Sequence, residues 1–191
     1  MKNINFPEII FSGKTLVGER VAKSAKRISE LAGAFADETA RNDMNQDQIA
    51  YEVECYFPVA EDTMGGLSFG ISHVHPGMVG NEYMMTKGHF HKKEDRAEFY
   101  WGIEGEGMLI LMNRMGETWA ERLFPGSLHY IPGHTAHRIA NTGTSVLSVG
   151  ACWPSDSGHD YETIQQRGFS KRLLQIDGVP QLVASQNKLF N

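Results

Sequence analysis

The chain has 191 residues, 41% of them hydrophobic and 21% charged, the balance of a globular protein long enough to bury a core without a disulfide or metal staple. A net charge of -5 sets up no global positive field, which argues against nucleic acid or anionic lipid as a partner. No run approaches the ~20 apolar residues needed to span a bilayer and the N-terminus lacks a small-residue cleavage site, so no membrane partner and a cytoplasmic location are expected.

Between Glu19 and Phe35, apolar residues Val21, Ala25, Ile28, Leu31, Ala32 and Phe35 recur at three- and four-residue intervals, predicting an amphipathic helix. The polar stretch DETARNDMNQDQIA that follows reads as a connection. From Tyr51 the period changes to two: YEVECYF and LSFGISHVH alternate as strands. EYMMTKGHFH, AEFYWGI, GMLILM, ETWAERLF, LHYI, HRIA and SVLSVGAC continue the series. Turn signals such as EGEG, NRMGE, PGS and NTGT separate them, the pattern of a sandwich or barrel. Met84, Met85, Met108, Leu111 and Met112 read as its core, and Cys55 and Cys152, with no CxxC spacing, as reduced, buried apolar residues. Beyond Trp153, Asp160 to Leu174 reads as a short helix interrupted at Gly168, with a tail ending in QLVASQNKLF. One domain is expected over 1–191: an N-terminal helix and extension to about 50, a barrel core over about 51–153, and a C-terminal extension over about 154–191.

All eight histidines lie between His73 and His159. In GHFHKKEDRAEF, His89 and His91 are two apart on a strand and share a face, KKED reads as a turn, and Glu98 returns on the next strand, giving three ligands on one side of a hairpin. Alone, such an HxH pair is as readily two exposed residues beside a charged turn. With His137 of PGHTAHRIAN as a fourth donor, the mixed nitrogen and oxygen set suits Fe(II), Mn(II), Ni(II) or Zn(II). Tyr100 shares a face with Glu98, which places its phenol in the same cavity. His159, in the loop SGHDYE, has an ordinary pKa of ~6.5 suited to proton movement. Lys87, Lys92, Lys93, Arg96 and Arg138 form a locally basic rim.

The wider text carries a resemblance. Gly105 after Glu98, and Gly126 followed by Pro132, His137 and Asn141, share the spacings of the two cupin signatures, and TKGHFHKKEDRAEFYWGIEGEG resembles the metal-site block of the cupin-type phosphoglucose isomerases. The resemblance runs from about Ser12 to about Tyr161. It implies an all-β fold, a jelly-roll-like cupin barrel with the N-terminal helix and short peripheral helices. It also implies metal ligation by His89, His91, Glu98 and His137, most readily of Fe(II), and a homodimer. Substrate contacts are implied for Ser72, Thr86, Gly88, Trp153 and Tyr161, Trp153 standing where the family pattern tends to carry tyrosine. The implied activity is reversible interconversion of glucose 6-phosphate and fructose 6-phosphate in glycolysis and gluconeogenesis, with Glu98, Tyr100 and His159 as catalytic candidates. The alternatives are an isomerase of another sugar such as mannose 6-phosphate, an Fe(II) dioxygenase, and a sugar-binding protein.

Overall fold

The computed structural model describes residues 4–185. In chain order the elements are β1 (Ile10–Ser12), β2 (Thr15–Val17), β3 (Val21–Arg27), a 3-10 turn (Ile28–Leu31), α1 (Glu38–Asp43), β4 (Ile49–Tyr56) and β5 (Leu67–Val74). There follow β6 (Met78–Val79), β7 (Glu82–Tyr83), β8 (Glu98–Glu104), β9 (Gly107–Asn113), β10 (Thr118–Leu123), β11 (Leu128–Ile131), β12 (Thr135–Asn141) and β13 (Leu147–Pro154). Helix α2 (Tyr161–Arg167), β14 (Lys171–Ile176) and β15 (Val179–Ala184) complete the chain. A six-stranded sheet, β11-β8-β13-β5-β4-β3, and a three-stranded sheet, β10-β9-β12, form the barrel, and β15-β14-β7-β6 forms a further sheet. Every pairing between these strands is antiparallel.

Apart from EYMMTKGHFH, of which only Glu82–Tyr83 is a strand, the strands expected from two-residue alternation over 51–153 are present, but the long N-terminal helix is not. Residues 21–27 are instead an edge strand, with Val21 opposite Tyr56 and Lys26 opposite Tyr51 on β4. Pairing with β4 overrides the good helical propensity of this Ala- and Lys-rich run, and the lysines suit an exposed sheet edge. The apolar spacing nevertheless has a cause. Ile28, Leu31 and Phe35 are all buried, carried inward by the 3-10 turn and the loop after it. Helix α1 lies in the stretch expected to be a connection. Asp37 caps it, accepting from the backbone N–H of Ala40 at 2.8 Å, the usual role of Asp at an N-cap.

Met84, Met85, Leu111 and Met112 are core residues, whereas Met108 only packs against the core. Cys55 and Cys152 are free and half-buried rather than buried. Helix α2 ends at Gly168, the interruption expected from sequence, but Lys171–Leu174 beyond it are not helix: they belong to β14, which pairs with β15 and β7. Residues 181–184 of the tail close β15, and 186–190 lie outside the described residues. No helix among the described residues is long and apolar enough to cross a membrane.

Candidate functional site

Residues 84–91 do not form the expected hairpin with β8, which pairs instead with β11 and β13. They lie along the free edge of β12 as an interrupted strand, bridging at Met85 to Ala140 and at His89 to His137. Four steps on this segment match three on β12, so one extra residue bulges out, and Gly88 there has φ +77°. A bulge re-aims the side chains beyond it, and this one turns His89 toward the barrel axis beside His137. Only glycine fits: a Cβ at residue 88 would lie 2.9 Å from the Arg138 Cβ and 3.0 Å from the Phe169 ring. Thr86 fills the gap in the ladder, its hydroxyl accepting from the Ile139 N–H at 3.2 Å.

The bulge, the loop 92–97 and two strands converge four donor atoms. One ligand atom each from His89, His91, Glu98 and His137 lies within 4.8 Å of all the others. Glu98 Oε1 sits 2.5 Å from His137 Nε2 and 3.5 Å from His91 Nε2. His89 Nε2, His91 Nε2, His137 Nε2 and Glu98 Oε1 are buried and have no hydrogen-bond partner. Buried polar atoms are normally satisfied, so four orphans facing one point fit a cation between them.

The remaining ring nitrogens support this. His91 Nδ1–H donates to the Arg96 carbonyl at 2.8 Å and His137 Nδ1–H to the Thr135 carbonyl at 3.2 Å, which leaves each Nε2 lone pair free for a metal. Arg96 is held by a bidentate pair from its Nε and Nη2 to Asp156, at 2.9 and 2.7 Å, and Lys93 donates to the same carboxylate at 3.1 Å. Of the five basic residues expected at a rim, Arg96 and Lys93 are therefore committed to Asp156 and Arg138 is buried on the far side of β12.

Electrostatics follow from the crowding. Burial opposes the Glu98 charge, but His137 and His91 outweigh it and hold the carboxyl at about 2. Burial, reinforced by the neighbouring rings of His137 and His159, holds His89 well below the usual histidine value. His159 is lowered by burial and then by His91.

The cluster closes one end of a cavity of about 270 Å³, whose walls include Ser72, Thr86, Gly88, Tyr100, Trp153, His159 and Tyr161. Every residue expected at the site therefore lines the cavity or, as His91, borders it through the cluster. Tyr100 lies edge-on to His137 with ring centroids 5.6 Å apart, and burial followed by the Glu98 charge raises its phenol well above the usual value. The His159 ring is 4.5 Å from that of His89 and stacks on Tyr161. The Trp153 indole is seated against Gly70, where a Cβ would come within 3.0 Å of it. Sequence reasoning missed Gly70, Lys26 and Ala151 on the walls; the alternation of β5 places Gly70 beside Ser72 on one face, a signal that was available. A larger groove, about 570 Å³, lies on the outer side around Lys23, Glu54 and His73, but it contains none of the converging donors. His73 bonds Ser148, His75 Glu52, His129 Glu121 and His134 Glu94, all away from the cluster.

An antiparallel barrel that gathers three histidines and a glutamate, a set that could hold a metal ion, at one end of an internal cavity defines a protein of the cupin class. The sequence model for Glucose-6-phosphate isomerase (GPI) matches residues 25–189. The glucose-6-phosphate isomerase of Thermococcus kodakarensis is 42% identical over 162 residues, 84% of this chain and 85% of that protein. That of Pyrococcus furiosus is 38% identical over 172 residues, 89% and 90% of the two chains. Among solved structures, oxalate decarboxylase from Bacillus subtilis at pH 4.6 superposes with a TM-score of 0.45 and 18% identity, over 58% of this chain and 26% of that one. The chain belongs to the glucose-6-phosphate isomerase family.

Proposed function

We propose that this protein interconverts glucose 6-phosphate and fructose 6-phosphate, with one divalent cation, Fe(II) in the first instance, held by His89, His91, Glu98 and His137. The observation that carries the reading is the set of four buried donor atoms without hydrogen-bond partners, opening onto a cavity walled by hydroxyl, phenol and imidazole groups. Family membership supplies the substrate class.

When bound, a divalent cation supplies Lewis-acid polarisation of substrate oxygens. In the proposed arrangement Ser72, Thr86, the Gly88 backbone and Tyr161 hold the phosphate end, since hydroxyls and an approachable main chain satisfy its oxygens. The Trp153 indole donates a hydrogen bond but accepts none, and its plate-like face orients the sugar. His159, stacked on Tyr161, takes the anomeric hydroxyl proton and returns it to the ring oxygen as the C1–O5 bond breaks. Glu98 and Tyr100 stand nearest C1 and C2. Glu98 is committed to the cation as a ligand, which lowers its basicity, so in this reading the C2 hydrogen passes to C1 as hydride while the C2 hydroxyl proton moves to O1, with Glu98 and Tyr100 orienting the two oxygens. Isomerisation in D2O then leaves the transferred hydrogen unexchanged, and appreciable deuterium at C1 or C2 would instead make Glu98 a general base.

The test is fructose 6-phosphate isomerase activity after stripping with chelator and separate return of Fe(II), Mn(II), Ni(II) and Zn(II). Activity lost on stripping, restored by one metal and absent in Glu98→Ala is expected. Full activity in stripped protein would refute the metal assignment, and none with any metal would refute the substrate. A homodimer is also proposed, supported by an outer aromatic face on β8 and β11 where Phe99, Leu128 and Tyr130 are 46, 69 and 56% exposed.

A further inference from the structure

Arg138 follows His137 on β12 and therefore points to the opposite side of the strand, away from the metal cluster. Its guanidinium carbon lies 4.2 Å over the Phe169 ring, it is 4% exposed, and its Nε has no hydrogen-bond partner. Among the described residues no carboxylate forms an ion pair with it. A buried guanidinium is normally paired, because the ring face beneath it replaces only part of its lost hydration.

The space around it explains what is missing. Arg138 lines a small cavity with Lys87, Gly88, Tyr161, Gln165 and Arg172, and no acidic side chain reaches that lining. Glu82, the carboxylate on this side, is already engaged by Arg172 at 2.8 Å and by the Ala36 N–H at 2.5 Å, and it lies outside the cavity wall. Three cationic side chains thus line a partly open volume; Glu82 bonds Arg172 and only faces Arg138 at longer range, and Glu30 lies on the Lys87 side outside the lining. At about 60 Å³, and about 10–15 Å³ per water, the cavity accommodates about four to six waters. That is the size of one four-oxygen anion and too small for a phosphorylated sugar. The donors suffice: the Arg138 fork, the Arg172 nitrogens other than the Nη1 that serves Glu82 and the Ala34 carbonyl, the lysine ammonium and the Gln165 amide.

We propose that this pocket binds a tetrahedral oxyanion, either free inorganic phosphate or a phosphoryl group, between Arg138, Arg172 and Lys87. It is distinct from the metal cluster, and it adjoins the larger cavity through Lys87, Gly88 and Tyr161, which line both. The site stands whichever sugar the larger cavity takes.

Calorimetric titration of inorganic phosphate into the metal-loaded full chain, in a buffer free of other oxyanions, tests it. One binding event is expected, weakened by about tenfold or more in Arg138→Met and in Arg172→Met, since each removes a charge-assisted contact. Lys87→Met, a change at a partly exposed residue, is expected to weaken it in the same direction and serves should either arginine variant fail to fold. Saturating fructose 6-phosphate distinguishes the sources. Phosphate binding that persists identifies a site for the free ion, and displacement together with a raised KM in Arg138→Met identifies a seat for the substrate's phosphoryl group. Absence of binding at millimolar phosphate overturns the proposal. So does binding that the folded variants retain at full strength, because that places the ion at the metal or elsewhere.

Discussion

Replacing Gly88 by alanine tests whether the bulge builds the site. The residue has φ +77°, a conformation that costs an L-residue about 1–2 kcal/mol. The added Cβ would also meet the Arg138 Cβ at 2.9 Å, Phe169 Cε2 at 3.0 Å and the His137 carbonyl oxygen at 3.1 Å. None of these can swing aside, because Arg138 and Phe169 are stacked and buried and the carbonyl accepts from the His89 N–H at 3.2 Å. Such overpacking adds about 1–3 kcal/mol, so Gly88→Ala should destabilise the metal-free protein by about 2–5 kcal/mol. Gly178 supplies the control: it has φ +78° but nothing within 4 Å of its Cβ position, so Gly178→Ala incurs the conformational part alone, about 1–2 kcal/mol. Urea denaturation of the three metal-free proteins, compared at equal slope, measures both. Metal titration should also show weaker binding in Gly88→Ala, since the strand can yield only by lengthening the His89–His137 bridge. Equal losses in the two variants would mean that the close approach of this segment to β12 does not organise the site.

Three further outcomes follow from the same geometry. Stripping the cation leaves three imidazoles and a carboxylate buried without partners; at free metal a thousandfold above Kd, the ion contributes about 4 kcal/mol, so calorimetry should show the stripped protein melting about 8–16 °C lower, and an unchanged melt would refute a built site. Asp156→Asn removes the charge that anchors Arg96, whose carbonyl orients His91, and should weaken metal affinity about tenfold, read by competition with a chelating dye; unchanged affinity would mean the loop holds itself. Glu54 accepts from Thr15, the Leu16 N–H and Lys23; burial raises its pKa, but those donors outweigh it and bring it below the ordinary 4.5. Its contribution is therefore full above pH 4.5 and lost as pH falls below it, and Glu54→Gln should flatten the acid limb of a stability-against-pH curve, whereas an identical limb would refute the assignment.

The barrel was readable because strands buried on one face write their period into the sequence. Residues 98–154 show it, with Glu98, Tyr100 and Gly102 alternating against Phe99 and Trp101 on β8. Residues 21–35 deceived because two different structures share one apolar spacing: Val21 and Ala25 lie on an edge strand, while Ile28, Leu31 and Phe35 enter the core from a turn. Nothing local distinguishes these from one helix, since the strand exists only by pairing with β4.

The clustered donors were readable by residue type and spacing, but the device that joins them was not. An HxH pair on a regular hairpin would place both rings against β8, whereas here the segment pairs with β12 and gains a residue at Gly88. The single inserted residue turns His89 onto His137, with ring centroids 4.4 Å apart. The same insertion presses the backbone against Arg138 and Phe169. Metal site and cationic pocket therefore lie on the two faces of one strand, His137 looking into the first and Arg138 into the second. A shift of β12 that improves one face must move the other, so the spacing of the two sites is fixed by the bulge rather than by either ligand set.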